Sequence, residues 1–288
     1  MIQSMTGYAV ATADTPRGVL SLELRAVNSR YLDLQFRVAE ELRAFEPMLR
    51  EMLAARLARG KVDCRLYFAA GGTRAQQQTL NPGALEDLRG LAAQAGAAIP
   101  GAAPLALADV LRWPGVLAEP SLDEERTRAT VEALCRRALE EFVATRAREG
   151  AKLAASVAER VAQMRGRLDE VRPLIPEALA AFQEKLAARL REALAGAHEE
   201  RIRAELAVFA MKTDVDEELT RLAAHLDETE RTLVRGGAVG KRLDFLAQEL
   251  NREANTLASK SATQKVSDCA LEIKLLIEQV REQVQNME

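Results

Sequence analysis

The chain has 288 residues, 48% hydrophobic and 29% charged, with a net charge of −3. That is enough apolar material for one large or two ordinary domains, and it excludes a globally basic nucleic-acid binder. Aromatic residues make up only 4%, which favours helices over a mainly β fold. Cys64, Cys135 and Cys269 are odd in number and far apart, so they give neither a disulfide framework nor a metal spacing. With only His198 and His225, a multi-histidine cage within one chain is excluded. No apolar run approaches the ~18 residues of a membrane span, and no signal-peptide pattern opens the chain. A reduced cytoplasm is the expected home.

Strands are predicted over Met1–Thr12, Val19–Val27 and Tyr31–Val38, with a turn at Arg17-Gly18. In the second, Leu20, Leu22 and Leu24 alternate with Ser21, Glu23 and Arg25, the period of a half-buried strand. A helix is predicted over Glu40–Ala58, stopped by Gly60, and then a strand over Lys61–Ala69. Gly71–Gln78 reads as a polar hinge, and Pro82–Ala95 as a helix capped by Asn81. A loop over 96–104, a short element at Leu107–Leu111 and a turn at Trp113–Val116 complete this part.

From Ser121, which forms a capping box with Glu124, one helix is expected to about Arg172. Pro173 and Pro176 interrupt it, and a second long helix is expected over Pro176–Phe209. Helices of this length are expected to project as an antiparallel hairpin or to pack against other copies. A further helix starts near Thr213 or Asp214, with Asp216, Glu217 and Glu218 in its first turn. Gly236, Gly237 and Gly240 form a flexible connection to the next helix, and Ser267 or Asp268 is the expected cap of the last.

The stretch Lys241–Lys260 stands out. As a helix it lines up Leu243, Leu246, Ala247, Leu250, Ala254 and Leu257 in an apolar stripe. Asp244, Gln248, Asn251, Arg252, Asn255 and Ser259 fall on one flank, Glu249, Glu253, Thr256 and Lys260 on the other. Asn, Ser, Thr and Asp are poor helix formers, so their choice points to hydrogen bonding. Either a functional face or a buried polar seam between helices or subunits would account for it.

Glu249 and Glu253, one turn apart, repel unless a cation or a metal neutralises them. Such carboxylate pairs suit Mg²⁺ or Mn²⁺ in phosphodiester cleavage. In the preceding helix Glu218, Arg221, Leu222 and His225 share one face. Glu217 could pair with Arg221, and a histidine such as His225 is more often a satisfied helix residue than a ligand. Arg25, Asn28 and Arg30 near a strand end could contact phosphate, although Asn28 could equally supply the φ > 0 residue of a turn. No P-loop, GxGxxG or GxSxG motif is present.

These blocks together resemble the YicC/YloC family of bacterial proteins over essentially the whole chain. Met5-Thr6-Gly7-Tyr8 matches its MTGY/F start, Glu23–Leu34 its E-R-x-N-x-R-x-L segment, and Gly60-Lys61-Val62 its GKV strand entry. Asp214–Leu226, Gly240–Lys260 and the ending Ile277–Glu288 match its C-terminal blocks. The resemblance implies a cytoplasmic endoribonuclease of RNA turnover that needs a divalent metal and forms a ring-like homohexamer around RNA. Other RNA-decay enzymes are further candidate partners.

The expected class is α+β. A small N-terminal domain of mixed β-sheet and helix (1–72) is followed by a connecting helix and loops (73–120). A long projecting helical hairpin (121–210) and a C-terminal helical domain with the site (211–288) complete it. Glu218, His225, Glu249 and Glu253 are the candidate catalytic residues and ligands for Mn²⁺ or Mg²⁺. Arg25, Asn28, Arg30, Lys241, Arg242, Asn251, Arg252, Asn255 and Lys260 are the candidate RNA-binding residues. A non-catalytic RNA-binding adaptor would need the basic and amide groups but not the acids. A structural oligomer would need neither.

Overall fold

The computed structural model describes residues 1–69, 79–99, 101, 103–118, 123–193, 199–261 and 263–288. The class is α+β, and the chain divides into two compact units. One comprises Tyr8–Arg25 and Tyr31–Phe142, the other Met1–Gly7, Ala26–Arg30 and Val143–Glu288.

The first unit holds a four-stranded sheet of β1 (Gly7–Thr15), β2 (Gly18–Val27), β3 (Leu32–Val38) and β4 (Gly60–Phe68), in the order β1-β2-β4-β3. Strand β3 runs parallel to β4, with Phe36 beside Cys64. Period-2 alternation does what it should: Leu20, Leu22, Leu24, Val62, Cys64 and Leu66 are buried on one face. Burial, with the nearby Cys135 and Glu46, pushes the Cys64 thiol up to about 12. Where one helix is expected over Glu40–Ala58, a 3₁₀ turn (Glu40–Phe45) precedes α1 (Glu46–Ala54). Pro47, in the first turn of α1, lacks the N–H that a continuous helix would require there.

Asn81 caps α2 (Pro82–Ala98), its Oδ1 accepting from the N–H groups of Gly83 (3.0 Å) and Ala84 (3.3 Å). Strands β5 (Thr79–Leu80) and β6 (Leu117–Ala118) pair antiparallel around α3 (Leu107–Arg112). The expected hinge at 71–78, the Ser121 cap and His198 lie outside the described residues.

The 48-residue α4 (Glu124–Val171) starts at Asp123, whose Oδ1 accepts from Arg126 N–H. It does not project as an arm. Val131, Leu134, Cys135 and Phe142 are buried in the first unit, and Val157, Val161, Met164 and Leu168 in the second. The length that suggested an outward hairpin is instead covered along one face. The expected helix over Pro176–Phe209 is two: α5 (Leu174–Ala193) and α6 (Glu199–Thr213). They lie side by side with Phe182 stacked on Phe209, centroids 4.6 Å apart, a contact one straight helix could not make.

The core of the second unit combines α4 with α7 (Asp216–Arg235), α8 (Gly240–Lys260) and α9 (Gln264–Val284). Helix α9 starts three residues before the expected Ser267, because Thr263 takes the extended backbone of an N-cap. Met1–Thr6 is not part of β1. Gln3 and Glu288 exchange backbone hydrogen bonds, and Met5 N–H donates to the Asn286 carbonyl. The buried Arg146 donates to the Ser4 carbonyl and pairs with Glu288. Gly150 is required here, since a Cβ would sit 2.4 Å from the Ile2 carbonyl oxygen. Among the described residues no helix is long and apolar enough to cross a membrane.

Candidate active site

Helices α7 and α8 carry the residues singled out from the sequence, and their pairing starts from the connection between them. Gly236 (φ 65°) and Gly237 (φ 84°) adopt backbone that side chains disfavour, which turns the chain back on itself. Leu219, Leu222 and Leu226 of α7 and Leu243, Leu246, Leu250 and Leu257 of α8 are then buried together with Ala247 and Ala254. The polar flank of that apolar contact becomes a ladder of charges.

Its first rung is Lys260 Nζ donating to Glu218 Oε1 at 2.8 Å, with Glu218 almost fully buried and its Oε2 left without a partner. That hydrogen bond raises the Lys260 pKa above the ordinary lysine value. In the second rung Arg221 reaches the buried Glu253 at 3.5 Å while also pairing with Glu217 of its own helix. The last rung joins Arg242 to Glu228 at 3.4 Å, with the guanidinium also over the Phe245 ring. As α7 numbers rise, α8 numbers fall, so the helices are antiparallel.

One turn beyond Arg221 and Glu253 the same register places His225 opposite Glu249. Both are half-buried. No hydrogen bond or ion pair engages either side chain among the described residues; only the His225 carbonyl is used, by Thr229 Oγ1 at 2.8 Å. The ladder is therefore closed by ion pairs on both sides of an open histidine–glutamate rung. Glu218 and Glu253 belong to the seam, and His225 and Glu249 form its gap.

Part of the remaining polar surface of α8 satisfies itself locally. On the other flank Gln248 bonds Asp244 and Ser259 donates to the Thr256 carbonyl, while on the ladder's flank Thr256 donates to the Arg252 carbonyl, the competition that makes these residues poor helix formers. Arg252, Asn255 and Lys241 are exposed and Asn251 half-buried, none with a side-chain partner among the described residues. Arg242 and Lys260, by contrast, are already paired with carboxylates. Elsewhere, Arg25 and Arg30 are exposed, and Asn28 donates its side-chain amide to the Gln285 carbonyl at 2.6 Å. No described non-glycine residue has positive φ, so Asn28 is a clasp and not the left-handed residue of a turn.

Among the described residues no group of three or more His, Cys, Asp and Glu side chains converges as a metal cage. Glu218 and Glu253 are met by protein cations in place of a metal. His225 and Glu249 offer two uncommitted donors, which suits a divalent ion completed by substrate phosphate oxygens and water. The sequence did not show the Arg242–Glu228 rung or the Arg221–Glu253 contact, because neither follows an i, i+4 spacing within one helix.

The arrangement is that of a helical pair with a charged flank in an α+β chain. The family described as "Endoribonuclease YicC-like, N-terminal region" matches residues 2–155, and "Endoribonuclease YicC-like, C-terminal" matches 171–288. The chain belongs to this family. It is 38% identical over 292 residues to a protein of Haemophilus influenzae named "Probable endoribonuclease YicC", covering 100% of both chains. A relative of the same name from Clostridioides difficile is 26% identical over 293 residues, again with 100% of both chains covered.

Proposed function

We propose that this protein is an endoribonuclease whose chemistry is centred on the His225–Glu249 rung. One observation supports the choice of centre: the α7–α8 ladder has ion pairs on both sides of two uncommitted titratable side chains that the same register brings level. The names of the two relatives support RNA as the substrate.

In this reading Arg252 and Lys241, free of internal partners, hold the backbone phosphates, and Asn251 and Asn255 hydrogen-bond ribose oxygens. One of His225 and Glu249 takes the proton from the attacking oxygen as its bond to phosphorus forms. The other supplies a proton to the departing oxygen as the P–O bond breaks. Were Mn²⁺ or Mg²⁺ held by His225 and Glu249, the two side chains would serve as its ligands in place of proton transfer, and the ion would neutralise phosphate charge and make a water more acidic. Glu218 and Glu253 position the two helices through Lys260 and Arg221. From the family resemblance we carry over a homohexamer, a cytoplasmic setting and a part in RNA turnover with other RNA-decay enzymes.

The test is single-turnover cleavage of a labelled structured RNA. His225→Ala and Glu249→Gln should each lower the rate about 10²-fold or more, with RNA affinity nearly unchanged. Arg252→Ala should weaken binding instead. Full activity in both rung variants, with co-purifying ribonuclease excluded, would refute the assignment. Intact binding with no cleavage by the wild-type protein would favour the adaptor.

A further inference from the structure

The sheet of the first unit has a second face that the proposed centre does not use. Strand parity assigns it. The leucines of β2 and Val62, Cys64 and Leu66 of β4 point into the core, so the alternate residues point away. Arg37 stands beside Arg65, and Gln35 beside Asp63, in the β3–β4 register. Two residues past Arg65 comes Tyr67, 38% exposed, and on β1 Tyr8 is 51% exposed. Arg25 lies on the same face of β2 and is exposed. Arg25, Arg37 and Arg65 make no hydrogen bond, ion pair or ring contact among the described residues, although the chain pairs many of its other arginines with carboxylates.

We propose that this face is a stacking platform for single-stranded RNA, an inference that rests on the RNA-cleaving reading above. Exposed tyrosine rings on a sheet offer flat surfaces for unstacked bases, and adjacent unpaired guanidinium groups meet phosphate or stack in turn. Tyr8 and Tyr67 stand on strands separated by β2, about 10 Å apart across the sheet at the least, so they would hold separate bases. The carboxylates Glu23 and Asp63 share the face. Both are half-buried, and they oppose a dense run of phosphates. That combination fits unpaired strands and not a duplex, whose base faces are covered.

The experiment uses the full chain and a labelled 2′-O-methyl oligouridylate, which resists cutting through its 2′ oxygen, beside the matching RNA duplex. Replacing both tyrosines, Tyr8→Ala with Tyr67→Ala, should weaken single-strand binding by about ten-fold or more. The paired Tyr→Phe changes should restore it, and duplex binding should be unaffected. Arg37→Ala with Arg65→Ala should make the salt dependence of binding shallower. If circular dichroism shows that the alanine pair is unfolded, the arginine pair carries the test. Unchanged affinity and salt slope, an equal loss in the phenylalanine variants, or an equal loss of duplex binding would overturn the platform. Ring-dependent binding without cleavage by the wild type would uphold it and remove the nuclease reading. Cleavage with ring-independent binding would do the reverse.

Discussion

Two of the helix pairs in the second unit, α7–α8 and α5–α6, are built very differently. The α7–α8 pair buries a leucine–alanine seam and carries cross-helix ion pairs along one flank, with α9 packed beside it. The α5–α6 pair has the Phe182–Phe209 stack and few buried apolar side chains, among them Ala187 and Ile202. A pair of the first kind is held by buried packing and cross-helix ion pairs together. A pair of the second kind opens locally at low cost. Chemistry that needs His225 and Glu249 aligned belongs on the first.

The largest expected effect tests that contrast directly. Leu250→Ala should cost about 3 kcal/mol and lower the urea midpoint of the whole unit. Phe182→Ala should cost only about 1 kcal/mol, leave that midpoint nearly fixed and speed proteolysis within 174–213. Equal shifts of the midpoint would erase the distinction.

A smaller effect is expected at the ladder. Glu218→Gln leaves Lys260 without its carboxylate and should cost about 1 kcal/mol of stability, with the cleavage rate within a few-fold of wild type. A loss of orders of magnitude would make Glu218 part of the chemistry and not of the scaffold.

The smallest effect is a difference in labelling rate. Burial pushes the thiols of Cys135 and Cys269 up to about 11, so at pH 8 neither should react in the closed protein. Thiol-specific labelling of Cys269 then reports opening of α9, and that of Cys64 and Cys135 opening of the sheet unit. Leu250→Ala should accelerate Cys269 labelling, and Phe182→Ala should not. Immediate labelling of Cys269 in the native protein would contradict its burial.

What could be read in the sequence was mostly local. The stripe of Leu243, Leu246, Leu250 and Leu257, the Asn81 cap and the alternation of Leu20, Leu22 and Leu24 each depend on neighbours within a few residues. The polar flanks of α8 left a choice between site and seam, and the structure shows a seam at Glu253 and Lys260, in ion pairs, while Glu249 and Arg252 stand outside it. That division depends on the register between two helices, which no single-helix spacing encodes. The true start of β1 was hidden for the same reason. Residues 2–5 run into the strand-like sequence that follows, but Ser4 pairs with Met287 at the far end of the chain.

That pairing has a consequence for synthesis. The sheet unit draws only on residues up to Phe142, so all of its parts have been made when half the chain has emerged. The helical unit must wait. Its first strand-like residues precede the sheet unit in the chain, yet their partners Asn286 and Glu288 come long after that unit. Through that interval Ser4 and Thr6 meet Arg146 and Glu149, but Gln3 and Met5 lack their backbone partners and the buried guanidinium of Arg146 lacks the carboxylate of Glu288. A nascent chain stalled just short of residue 286 would thus carry a finished sheet unit and a helical one still missing its closing bonds.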